Sequence, residues 1–176
     1  MAGAVRSRHT PVRRYDGRMH PTYEAAVLIL RDLLAQLRSA VNELPDEAMD
    51  WRATPNANSV AILVIHTVRA TRFLLASAAG ARLSREEYQT NERLPSFEVR
   101  EIEKAHLLAE IDTIDRELET LVAGGNDATL TARFEWVAAS GRTMTGAECL
   151  LHVTAHLSEH AAQAGMTRDL WLTQQR

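Results

Sequence analysis

Residues 148–165 read ECLLHVTAHLSEHAAQAG and place His152, His156 and His160 at intervals of four. On an α-helix, residues four apart drift by only about 40° around the axis and lie one turn apart. The three imidazoles therefore share one helical stripe. The whole chain has seven histidines, so this stripe holds nearly half of them. It reads either as a metal site on a helix or as a polar face rich in imidazole.

The chain around the stripe is helical in pattern. A first helix is predicted over about Thr22–Glu43, where Val27, Leu30, Leu34, Leu37 and Val41 recur at spacings of three and four. Pro21 suits its first turn and Pro45 follows its end. The linking LPDEAMDWRATPNANS is rich in turn formers, with a short helix expected at Asp46–Trp51. A second helix starts at Asn58 or Ser59 in NSVAILVIHTVRATRFLLASAAG, is apolar on most sides through Ile65, and stops at Gly80. The polar stretch 81–97, with Pro95, reads as a connection of little regular structure. A third helix is expected over Phe97–Val122, and residues 128–143 read as a short hairpin or extended crossover. The fourth helix starts near Thr145 and carries the stripe to Trp171 or beyond. The fold class is therefore all-α: an antiparallel four-helix bundle with a longer crossover or short hairpin between helices three and four.

With 176 residues, one domain is expected over 21–176, preceded by a disordered or extended basic leader at 1–20. The leader holds Arg6, Arg8, Arg13, Arg14 and Arg18 with a single aromatic, Tyr15, among them, so it predicts at most salt-dependent, non-specific nucleic-acid association. The whole chain carries 20 basic and 23 acidic side chains, net −3, which does not point to a specific nucleic-acid binder. No uninterrupted run approaches the roughly eighteen apolar residues of a membrane span. The single Cys149 excludes an internal disulfide, fits a cytoplasmic setting, and reads as a small core residue.

A divalent ion needs more ligands than one histidine pair. His156 and His160 aim at one point, and catalytic zinc commonly takes three protein ligands with one open position. His66, within the apolar AILVIHTVRA, is the best third candidate, because a buried imidazole there has to find a partner. His9 and His20 fall in the leader and look incidental. His106, on the third helix, has no evident role.

Together, NSVAILVIH, the four-helix layout and the late HLSEHAAQAGMTRDL resemble the DinB/YfiT-like superfamily of metal-dependent enzymes over about residues 22–172. DWRATPNANSV matches the Trp–Arg/Lys–Pro order that precedes the second helix in that family, and Gln163 follows the HxxxH pair as it does there. Ala162 stands where the family usually has Gly. The resemblance implies His66, His156 and His160 as ligands of Zn or Ni. It gives His152 no ligand role, leaving it as a neighbour that supports the ligands or moves a proton, or as a substitute for one of the pair.

Known activities in the family imply an S-transferase that uses a low-molecular-weight thiol (bacillithiol, mycothiol or glutathione) on a small electrophilic substrate. A metal-dependent hydrolase and a non-catalytic, stress-related metal-binding bundle are the alternatives. The resemblance also implies a homodimer. Arg52 and Arg69 are candidates for binding a thiol cofactor's carboxylates, and Glu159 for accepting a proton. Trp51, Trp136 and Trp171 read as packing anchors.

Overall fold

The computed structural model describes residues 19–82, 84–136 and 141–175. It is mostly helical, with four long helices: α1 (Pro21–Asn42), α2 (Val60–Ala78), α3 (Lys104–Leu121) and α4 (Gly146–Gln174). Helices α1 and α2 each pack against both α3 and α4. One apolar core runs between the four, including Leu30, Leu37, Val64, Leu75, Leu107, Ile114, Val153 and Leu157.

Each long helix follows from its sequence. In α1 the buried Tyr23, Ala26, Val27, Leu30, Leu34, Leu37 and Val41 form one stripe. The imidazole Nδ1 of His20 accepts the Thr22 N–H at 3.1 Å and caps the first turn, with Pro21 just inside. His20 is therefore not incidental: it is buried, and its Nε2 lies 3.0 Å from Asp127 Oδ1. The rest of the expected leader, residues 1–18 with His9, lies outside the described residues.

Ser59 caps α2 by accepting the Ile62 N–H. That helix is buried on nearly every side and ends where Gly80 takes φ 110°, a left-handed value that glycine adopts without strain. By length and composition α2 is apolar enough to cross a membrane, but 83% of that window is buried within the protein. Its run is interrupted by His66, Thr67, Arg69 and Arg72, so counting uninterrupted apolar residues missed it.

Three connections differ from expectation. Residues 81–97 are not an irregular link: an α-helical turn at Arg85–Glu87, a π-helical stretch at Tyr88–Arg93 and another α-turn at Leu94–Ser96 run in succession. Ser84 and Glu87 close a reciprocal capping box at its start, and Tyr88 anchors it by stacking on Phe73 at 4.1 Å. Pro95 is tolerated because it sits in the first turn of the last piece.

The third long helix then starts at Lys104, not Phe97. Between them the backbone turns through Glu101, φ 55°, whose N–H donates to Asp50 Oδ2 at 2.6 Å. The stretch 128–143 also begins as a helical turn, Asp127–Thr131, capped by Asn126. Two short antiparallel strands follow: β1 (Arg133–Glu135) pairs with β2 (Thr143–Thr145), Phe134 opposite Met144.

Helix α4 starts with a capping box between Thr145 and Glu148. Its inner face carries Cys149, Leu150, Val153, Leu157, Ala161 and Ala164. Cys149 is a core residue: its thiol donates to the Leu74 carbonyl, and burial pushes it up to about 12.

Candidate metal centre

The buried face of α2 turns His66 toward α4, where His156 and His160 stand one turn apart. His66 Nε2 lies 3.2 Å from His156 Nε2, and His160 Nε2 lies 3.1 Å from the same atom. Ligand atoms of all three residues fall within 4.8 Å of one another. The sequence-level candidates thus converge, from two helices, on one point.

What these nitrogens can do follows from their other contacts. Nδ1 of His66 is 3.1 Å from Ser96 Oγ, and that hydroxyl donates to the Arg93 carbonyl at 2.6 Å. Nδ1 of His160 is 2.9 Å from Gln163 Oε1, while the Gln163 amide nitrogen donates to Glu159 Oε1 at 3.2 Å. His156 Nδ1 is buried and has no hydrogen-bond partner among the described residues.

Burial is the first cause of low basicity here. It holds His66 down at about 4, helped by His160 and Arg93. It holds His156 down at about 3, helped by His160, His66, His152 and Arg93. Both rings are neutral at pH 7, so neither answers the crowding by taking up a proton.

The donor set fits a divalent ion. Zinc–imidazole bonds of about 2.0–2.1 Å place tetrahedral ligand atoms roughly 3.3 Å apart, close to the two Nε2 separations found. A neutral His156 can donate at most one proton from Nε2. It therefore cannot satisfy both neighbours, whereas a cation accepts all three lone pairs.

The other candidates are dispersed. His152 is exposed and outside the cluster, its ring edge-on to Trp136 at 4.7 Å and 6.0 Å from the ring of His156. Partial burial, and then Arg142, lower its basicity. Glu159 is exposed and accepts from Gln163. Arg69 reaches the 85–96 segment, donating to the Glu92 carbonyl at 3.4 Å. Arg52 is half-buried in the connection before α2. His106 is exposed on α3, 3.8 Å from Glu110.

Trp51 and Trp171 pack edge-to-face at 5.6 Å, away from the histidine contacts. The sequence reading missed Ser96, which supports His66, and Phe97, whose ring lies 4.4 Å from that of His66; Trp136, read as a packing anchor, is buried and also stands beside His152. The Ser84–Glu87 capping signature was the available sign that this segment is ordered. Beside Gln163, a cavity of about 330 Å³ is lined by Asn56, Asn58, Leu63, Met166, Thr167 and Leu170, with no charged side chain.

No curated protein matches the chain. A crystal structure of an uncharacterised protein from Escherichia coli UTI89 shares the fold at TM-score 0.51 and 18% identity, covering 83% of this chain and 92% of that one. The model of the DinB superfamily matches residues 29–164, which include His66, His156 and His160. By this match over most of its length, the chain belongs to the DinB superfamily.

Proposed function

We propose that the protein is a metal-dependent enzyme in which His66, His156 and His160 hold a divalent ion, Zn or Ni, for S-transfer from a low-molecular-weight thiol to a small electrophile. The observation that carries this reading is the convergence of three imidazole nitrogens, two of them oriented by polar partners behind them. The four long helices are read as the antiparallel bundle that frames such a site. A bound ion with an open position lowers the pKa of a coordinated thiol or water.

The chain's own residues supply the rest. Phe97 closes one side of His66 and excludes water. The uncharged cavity beside Gln163, lined by both amide and aliphatic side chains, suits a neutral substrate. His152, beside Trp136 and 6.0 Å from the ring of His156, is read as the group that accepts or returns a proton. The reading extends to a homodimer, which sedimentation measures directly.

The test is elemental analysis of tag-free protein beside the triple variant His66→Ala/His156→Ala/His160→Ala. About one ion per chain, lost in the triple variant, is expected; the single His156→Ala variant is expected to lose it as well. Unchanged metal content in the variants overturns the ligand assignment. Turnover of electrophiles that requires a thiol supports S-transfer. Thiol-independent turnover of esters or amides replaces it with hydrolysis, which uses the same three imidazoles.

A further inference from the structure

We infer that Ser96 and Gln163 are positioning residues that lock His66 and His160 in the Nδ1–H tautomer, so that both Nε2 lone pairs face the centre of the cluster. The inference deepens the metal reading above and rests on the direction of two hydrogen-bond chains.

The first chain is fixed at its far end by the Arg93 carbonyl, which can only accept. Ser96 therefore spends its single proton there, at 2.6 Å, and its oxygen has only lone pairs left for His66 Nδ1 at 3.1 Å. His66 must donate from Nδ1. With its one ring proton on Nδ1, Nε2 is then bare and faces His156.

The second chain is fixed by a carboxylate. Glu159 accepts from the amide nitrogen of Gln163, which turns Oε1 toward His160 Nδ1 at 2.9 Å. His160 therefore donates from Nδ1, and its Nε2 points inward to the cluster.

The two supports have different origins. Gln163 lies one turn beyond His160 on α4, so the helix itself sets the contact. Ser96 comes from the last piece of the segment at 85–96 and is fully buried. The carbonyl that receives its proton belongs to Arg93, the final residue of the π-helical stretch. Wide π turns recur at functional sites because they re-aim one residue without ending the helix. Here the stretch carries Ser96 and Phe97 onto the two sides of His66.

Partners of this kind are worth about 10- to 100-fold in metal affinity. The test has two readouts. Long-range ¹⁵N–¹H spectra of the metal-free protein at pH 7 report which ring nitrogen carries the proton. Competition with a chromophoric chelator reports Zn affinity. The wild type is expected to show Nδ1–H at His66 and His160. Ser96→Ala is expected to mix the tautomers of His66, and Gln163→Leu those of His160, each with a 10- to 100-fold weaker Zn affinity. Gln163→Glu, which keeps an acceptor oxygen, is expected to retain both the tautomer and most of the affinity.

Gln163 is half-exposed on a long helix, so Gln163→Leu keeps the test open if Ser96→Ala fails to fold. An Nε2–H signal at either histidine in the wild type overturns the inference. So does unchanged Zn affinity in Gln163→Leu with its tautomer scrambled. A wild type that takes up no metal refutes the proposed function instead, while the metal-free spectra still decide the tautomers.

Discussion

At the scale of single residues, the site depends on keeping imidazoles neutral inside the protein. Unfolded histidine titrates near 6.5, whereas burial holds His66 near about 4 and His156 near about 3. Between those values and 6.5 the unfolded chain binds more protons than the folded one, so stability rises with pH through that window. It is lost as pH falls below 6.5. Metal-stripped protein is expected to lose about 3–4 kcal/mol between pH 7 and pH 5 from this pair, and urea titrations at the two values measure it. His156→Leu is expected to shrink the difference, and an equal loss in that variant sinks the attribution. The three histidines were legible because intervals of four on α4 and an imidazole in an apolar run on α2 are local signals. Ser96 and Phe97 were not, since their roles exist only through contacts with distant residues.

Among the elements, the ends of helices carry the sharpest constraints. Gly146 opens α4, and a Cβ there would lie 2.2 Å from the Thr129 carbonyl oxygen and 2.8 Å from that of Ala78. Both obstacles are backbone, so they cannot swing aside as a side-chain tip can. Gly146→Ala is expected to cost about 3 kcal/mol and to lower the melting temperature by several degrees, read by calorimetry; an unchanged transition would show that the two carbonyls yield. The α1, α2 and α4 readings came from apolar periodicity and capping residues, and their starts lie within about two residues of expectation, the usual margin for helix ends. Residues 85–96 were misread because polarity and Pro95 outweighed the Ser84–Glu87 box, and because Tyr88 is held by stacking on Phe73. Asp127–Thr131 was missed for a related reason: a single capped turn is too short to show a period.

Across the whole molecule, one side chain joins three parts of the chain. The fully buried Tyr23 hydroxyl donates to the Ala78 carbonyl at 2.6 Å, at the end of α2, and lies 2.8 Å from Thr129 Oγ1 in the turn before the hairpin. Tyr23→Phe leaves the Ala78 carbonyl without this donor, at an expected cost of about 1–3 kcal/mol. Metal content is expected to stay at the wild-type level, because none of the three histidines touches this junction. Thermal unfolding together with elemental analysis checks both, and loss of metal would mean that stability and site are coupled.

The sequence by itself determined the helical class, the apolar stripes that build the core, the cap that starts α2, and the candidate histidines from which the cluster is drawn. These are signals within a turn or two of chain, set by the helical repeat and by backbone groups that need partners. Only the tertiary structure decided that His66 faces α4 at hydrogen-bond distance, that Ser96 sits behind its ring, and that His152 turns out to Trp136. Those facts depend on how α2, α4 and the 85–96 segment are placed against one another. That placement is fixed by the fit of side chains far apart in the chain, and no local pattern records it.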